Sequence, residues 1–206
     1  MKKFLPLFLL LFIFSCSILT AKKSAHGPTY KGFYASLAAG PSLGVTSYSD
    51  KSSYLGGAYN IDARAGYVLE KNVIFFGNLC TAGVNGFTEP YDDDYDGNYD
   101  QPEHLVTRSF TLGGGIVYYM PKTNYYYSMA AGAVYLSTEK NPKPAISDES
   151  GFAISIRAGT ESWISKNYSL GWGLGISYAS VENTLPAGDN SGGIFLFTVF
   201  MSGAYN

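Results

Sequence analysis

Large apolar residues alternate with small or polar ones along most of the chain. The stretch 168–178, YSLGWGLGISY, shows the pattern best, since every second residue is large and apolar and the residues between them are Gly or Ser. Alternation over this length predicts a β-strand with one apolar face. Similar stretches predict eight strands, near 32–46, 58–69, 73–87, 105–120, 125–138, 151–165, 168–181 and 193–205.

The connections between these strands alternate in length. Short turns are expected at 70–72, 121–124 and 166–167, and long polar loops at 47–57, 88–104, 139–150 and 182–192. Alternation of short and long connections is typical of a barrel in a bacterial outer membrane, with short periplasmic turns and long outer loops. We therefore predict an all-β fold, an eight-stranded antiparallel up-and-down transmembrane β-barrel over 32–206. Its termini are expected in the periplasm and its four long loops outside the cell.

The chemistry of the two strand faces predicts which face meets lipid. A soluble barrel places large apolar residues inside and polar ones outside, whereas a small lipid-embedded barrel has an apolar outer band. Gly and Ser cannot line an apolar binding cavity, but they fit a narrow lumen. The pattern therefore favours a membrane barrel over the alternative, a small-ligand binding or transport barrel. Aromatic residues near strand ends predict two belts at the headgroup level, one with Tyr118, Tyr119, Tyr125, Tyr126, Tyr127, Trp163 and Tyr168, the other with Tyr59, Phe87, Tyr135, Phe152, Tyr178 and Phe195.

The N-terminus has the features of an export signal. Two lysines precede an apolar run over 4–14 and then small residues, which predicts a signal over 1–21 followed by a periplasmic linker over 22–31. Cleavage after Ala21 and cleavage before a lipidated Cys16 are both open. In either case Cys80 lacks a disulfide partner. The formal net charge of −2, about −4 after removal of the signal, leaves no basic surface and excludes nucleic acid as a partner.

Three stretches carry a resemblance: GIVYYMPKTNYYYSMAAG at 115–132, GTESWISKNYSLGWGLGISY at 159–178 and FMSGAYN at 200–206. They resemble a family of small outer-membrane β-barrel proteins of diderm bacteria and, more distantly, the eight-stranded OmpA and OmpX barrels. The resemblance implies contact with outer-membrane lipid and lipopolysaccharide, and recognition by the barrel-assembly machinery. It supplies no catalytic residues. Asn206 ends the chain where many such proteins end in Phe, and Val199, Met201 and Tyr205 fall on outward parity as an assembly signal.

Four charged residues fall on lumen parity. Asp62 and Arg64 belong to the second strand, and Arg157 and Glu161 to the sixth. Counting residues up from the short turns places Asp62 level with Arg157. The same count places Arg64 level with Glu161. We predict both contacts as an internal plug, because eight strands leave a lumen that side chains fill. An ion path is the alternative.

The acidic stretch DDDYDGNYDQPE, within the second long loop, matches the spacing of a calcium-binding loop. Oxygen ligands stand at alternating positions, a glycine stands at the sixth, and a glutamate at the twelfth. Extracellular calcium is abundant, and sites exposed to it need a Kd of only ~10⁻⁴–10⁻³ M. The alternative is a solvated acidic loop, and no other cofactor is expected. The candidate ligands are Asp92, Asp94, Asp96, Asn98, Asp100 and Glu103.

Catalytic chemistry has little support in the sequence. The two histidines are His26, in the linker, and His104, after the acidic loop, and the nearest serine, Ser109, has no supporting pattern. We therefore expect a non-enzymatic protein with a structural or surface-interaction role through its four outer loops. A membrane-embedded lipid-modifying enzyme is the weaker alternative. Arg108 falls on outward parity near the outer end of its strand, where it can pair with a lipopolysaccharide phosphate.

Overall fold

A computed structural model describes residues 32–48, 53–70, 72–87, 104–121, 123–141, 143–182 and 191–205. These residues form one closed barrel in which consecutive strands pair antiparallel and the last strand pairs with the first. No helix among the described residues is long and apolar enough to cross a membrane. The eight strands are β1 (Phe33–Tyr48), β2 (Ser53–Glu70), β3 (Val73–Phe87), β4 (His104–Tyr119), β5 (Tyr125–Asn141), β6 (Lys143–Trp163), β7 (Tyr168–Glu182) and β8 (Ser191–Tyr205).

The predicted fold class is confirmed, and the main difference lies between β5 and β6. The predicted long loop at 139–150 is wrong, because most of it continues these two strands. The predicted long loop at 47–57 is wrong for the same reason, since β1 and β2 take all of it except 49–52. The pairing of β5 with β6 extends through Leu136 opposite Glu149 and Thr138 opposite Ser147 before the register shifts. Backbone pairing does not need alternating side chains, and polar residues on both faces of a strand leave no period of two in the sequence.

Backbone hydrogen bonds close the short turns after β4 and β6, at the end of the barrel opposite the β5–β6 connection. The amide of Met120 donates to the carbonyl of Tyr125 at 2.9 Å, and the amide of Ile164 donates to the carbonyl of Tyr168 at 3.0 Å. In the second of these turns the Ser165 hydroxyl also accepts a hydrogen bond from the Tyr168 amide at 3.2 Å. The turns therefore hold their strands in register at the end of the barrel where β1 begins and β8 ends.

The outer wall is apolar. Leu55 is 72% exposed, Leu43 61% and Leu112 60%, and outward positions on every strand carry similar residues. An exposed apolar band that surrounds a barrel is expected in lipid and not in water. This confirms the predicted outward face and conflicts with the polar exterior that a soluble ligand-binding barrel needs. The outward residues of β7 are Tyr168, Leu170, Trp172, Leu174, Ile176 and Tyr178.

The aromatic belts are only partly as predicted. Tyr118, Tyr125, Tyr127 and Tyr168 at the turn end are exposed, as are Tyr59, Tyr135, Phe152, Tyr178 and Phe195 toward the loop end. Tyr119 and Tyr126 are instead buried in the lumen, and Trp163 packs against the buried cluster there. Neighbouring residues of a strand point to opposite faces, so a run of tyrosines cannot all belong to the belt. The side chain of Phe87 lies outside the described residues.

The lumen is filled in three layers. Along β2 the polar residues Asn60, Asp62 and Arg64 lie between Val68 toward the turn end and Ala58 toward the loop end. The turn-end layer contains Tyr34, Val68, Ile74, Phe76, Val117, Tyr119, Tyr126 and Phe200. The loop-end layer contains Ala82, Val84, Val134, Leu136, Ala179, Val181, Ile194 and Leu196. The expected lumen of small and polar groups is therefore found at mid-height, while large apolar side chains fill both ends.

Candidate functional site

The polar middle layer of the lumen is built from β2 and β6. Asp62 and Arg64 are two residues apart in β2, so both side chains point into the lumen. Arg157 and Glu161 lie on the inward parity of β6. All four residues are buried, and Asp62, at 1% exposed, is the most buried of them. Charges so far from water need partners within the protein.

Asp62 is the centre of this layer. Its Oδ2 atom lies 2.8 Å from Nη1 of Arg157 and 2.9 Å from Nε of Arg64. Asn78 donates through Nδ2 to Oδ1 of the same carboxylate at 3.4 Å. One carboxylate therefore binds arginines from two strands, whereas the predicted contacts gave each acid its own arginine.

Each arginine has further partners. Arg157 Nη2 donates to Oδ1 of Asn60 at 3.0 Å, and Arg64 Nη1 donates to Oγ of Ser128 at 3.1 Å. The guanidinium of Arg64 lies 4.5 Å from the centre of the Phe76 ring. These contacts fix the planar groups, and the ring face attracts the positive charge.

Arg157 is placed similarly over an aromatic ring. Its guanidinium carbon lies 5.2 Å from the centre of the Phe200 ring. Phe200 and Phe76 both belong to the turn-end apolar layer. The two arginines therefore lie against that layer on one side and bind a shared carboxylate on the other.

Glu161 is a further buried acid on β6, four residues nearer the turn than Arg157. Ser169 donates a hydrogen bond through Oγ to its Oε2 atom at 2.9 Å, and both residues are buried. The predicted contact between Arg64 and Glu161 stays a prediction.

Several partners of the charged residues were missed in the sequence. Asn60, Asn78 and Ser128 all lie on inward parity. Polar side chains at inward positions were the feature of the sequence that could have identified them as partners. Cys80 lies beside them and accepts a long hydrogen bond from Nδ2 of Asn60 at 3.5 Å. Its thiol is free.

A small cavity adjoins the polar layer. Its volume is about 30 Å³, and residues Asn78, Cys80, Thr111 and Ser177 are part of its lining. A space of this size holds about one water molecule. The internal plug stays a prediction, and the burial of Asp62, Arg64, Arg157 and Glu161 supports it.

The candidate calcium ligands Asp92, Asp94, Asp96, Asn98, Asp100 and Glu103 lie outside the described residues. Within the strands and turns that are described, no cluster of three or more His, Cys, Asp or Glu side chains is placed to hold a metal ion. The calcium site therefore stays a prediction.

His26 lies outside the described residues, and the other residues considered for catalysis and lipid binding lie in β4. His104 begins the strand and Ser109 is five residues further on, a separation of roughly 16 Å along an extended chain. That distance is far too long for a nucleophile and its base. Ser109 is buried and donates to the carbonyl of Ala82 at 3.5 Å. Arg108 points outward and is exposed.

Comparison with known proteins finds likeness in structure alone. No protein-family model matches the chain, and no curated protein is significantly similar to it. Neisserial surface protein A aligns with a TM-score of 0.52 and 14% identity, over 85% of this chain and 97% of that protein. OprG from Pseudomonas aeruginosa aligns with a TM-score of 0.48 and 10% identity, over 87% of this chain and 98% of OprG.

A third solved structure is Ail, the attachment invasion locus protein of Yersinia pestis, in complex with the heparin analogue sucrose octasulfate. It aligns with a TM-score of 0.46 and 11% identity, over 84% of this chain and 99% of Ail. At such low identity a likeness shows the fold and nothing about activity. The chain thus has the fold of the small eight-stranded outer-membrane β-barrels, as the OmpA-like resemblance implied, with Neisserial surface protein A as a structural relative.

Proposed function

We propose that this protein is a non-enzymatic outer-membrane barrel that holds four loops at the cell surface, where they contact surface ligands. The observation that carries the proposal is the buried polar layer, in which Asp62 binds both Arg64 and Arg157. Apolar layers lie on either side of it. A barrel with this interior acts through its rim and outer wall and not through its lumen.

The orientation follows from the predicted export signal and the unequal connections. Both ends of the barrel chain, at Phe33 and Tyr205, lie with the short turns, which supports a periplasmic position for the turn end. The connections at the other end, of which 88–103 and 183–190 are the longest, then face outward. β8 presents Val199, Met201 and Tyr205 on the outer wall, which fits recognition by the barrel-assembly machinery.

Two partners are proposed at the outer end. Arg108, exposed next to the lipid band, pairs with a phosphate of lipopolysaccharide. The acidic loop 88–104 binds calcium weakly, which orders it for contact with an extracellular ligand. The support for calcium is the spacing of the oxygen ligands in the sequence.

Calcium titration tests the proposed role of the loop. The refolded barrel in detergent is titrated by calorimetry beside Glu103→Gln, which removes one charge and keeps the shape of the side chain. We expect saturable binding at millimolar calcium for the wild type and its loss in the variant. Absence of heat in the wild type would leave an acidic loop without a metal.

The enzymatic alternative has its own test. Lipid A and phospholipid are incubated with the refolded protein, and products are measured for the wild type and His104→Ala. We expect turnover in neither sample. Turnover that His104→Ala abolishes would establish a membrane-embedded enzyme and refute the proposed role.

A further inference from the structure

A groove interrupts the outer wall along β6 near the turn end. Its floor is formed by Ala158 and Thr160, and its volume is about 190 Å³. Tyr127 and Leu174 flank Ala158, since they are its partners in the neighbouring strands. A cavity of ~150 Å³ lined by apolar groups holds a benzene ring, so this groove has room for part of a hydrocarbon chain.

The groove exists because small residues stand between large ones. Tyr125 and Trp172 flank Thr160 in the register, and both are exposed at the outer surface. Inside the barrel the wall behind the groove is thin, because Gly159 is an inward position. The Tyr126 ring occupies the space that a side chain at Gly159 would take, which closes the groove from the lumen side.

The polarity of the groove runs along the strand. Thr160, with its hydroxyl, lies nearer to the turn that follows Trp163, and Ala158 lies nearer to the middle of the wall. Ile156 continues the outer face beyond Ala158 and is 57% exposed. A phospholipid has the same order, since its ester oxygens lie at the membrane surface and its methylenes lie deeper.

We propose that this groove seats one acyl chain of a phospholipid, with the ester oxygen at the Thr160 hydroxyl and the first methylenes on Ala158. The site is continuous with the apolar band that contacts lipid on all sides of the barrel. Tyr125 and Trp172 form its sides, and amphipathic rings favour the layer in which ester groups lie. The assignment of the turn end to the phospholipid leaflet rests on the proposed orientation.

Native mass spectrometry tests whether the groove binds a phospholipid. The full barrel is released from detergent micelles that contain phosphatidylcholine, and the fraction that retains one lipid is measured. Ala158→Leu fills the floor of the groove. Ala133→Leu is the matched control, because Ala133 also faces lipid, between Leu112 and Phe152 of the neighbouring strands. Folding of each variant is verified by the shift in gel mobility on heating.

We expect the wild type and Ala133→Leu to retain one lipid and Ala158→Leu to lose it. Thr160→Val should retain less than the wild type, and equal retention would overturn the placement of the ester at Thr160. Binding of an acyl chain in the groove is refuted if no lipid is retained or if all variants retain lipid equally. It is also refuted if Ala158→Leu abolishes a dimer of the barrel, because the groove would then bind a second copy of the chain. The measurement does not depend on loop orientation, so its failure would leave the proposed function standing.

Discussion

Replacement of Asp62 by alanine is expected to destabilise the barrel more than replacement of either arginine that it binds. Asp62→Ala leaves Arg64 and Arg157 buried without their carboxylate. Removal of one member of a buried ion pair costs about 3–5 kcal/mol. Arg157→Met keeps most of the buried hydrocarbon, and Asp62 stays paired with Arg64. The loss is then about 1.5–3 kcal/mol, as for a hydrogen bond to a charged group.

Urea unfolding of the refolded barrel in lipid vesicles measures these free energies, followed by tryptophan fluorescence and by gel mobility. The double variant Asp62→Ala/Arg157→Met should cost less than the sum of the single variants, with a coupling of about 0.5–3 kcal/mol. The reason is that, once Arg157 is gone, removal of Asp62 leaves only Arg64 unpaired. Lys166→Met, which replaces an exposed cation in the turn between β6 and β7, is the control and should change stability by about 0.5 kcal/mol or less. Strict additivity, or a larger loss for Arg157→Met than for Asp62→Ala, would refute the central role of Asp62.

Three further predictions concern the lumen and the wall. Asp62→Ala and Arg157→Ala should each lower stability without producing large conductance in planar bilayers, and pore currents from a stable single variant would favour an ion path. Gly40→Ala should cost about 1–3 kcal/mol, because the added carbon would collide with the carbonyl oxygen of Val199, whereas Gly57→Ala meets no atom within 4 Å and should be neutral or stabilising in the same unfolding assay. In a chain without residues 1–21, Cys80 should react slowly with a polar maleimide while folded and quickly in urea, and equal rates would indicate a lumen open to water.

The alternation of residue types was sufficient to predict the fold. In β7 the outward residues are large and apolar and the inward ones are Gly or Ser, so the strand and its lipid face both follow from a period of two. The run Tyr125–Tyr127 shows where composition misleads. Because neighbouring strand residues point to opposite faces, the side chain of Tyr126 lies in the lumen. Its ring centre is 5.4 Å from that of Tyr119.

The polar layer was predictable only in part. Counting from the turns places Asp62 level with Arg157, and their atoms lie 2.8 Å apart. The count treats partners as residues on opposite walls, so it misses Arg64, whose long side chain reaches back to a residue on its own strand. The rings of Phe76 and Phe200 also depend on the packed lumen, which no local pattern reveals.

A spin-label accessibility measurement tests both the lipid-facing wall and the filled lumen of this barrel. Nitroxide labels are placed at Leu174 and Ile176, which face outward, and at Ser177, which faces the lumen. In lipid vesicles we predict that oxygen relaxes the two outward labels strongly while a water-soluble nickel reagent does not, and that neither reagent reaches Ser177. Nickel access at the outward positions, or at Ser177 in a folded barrel, would contradict the account.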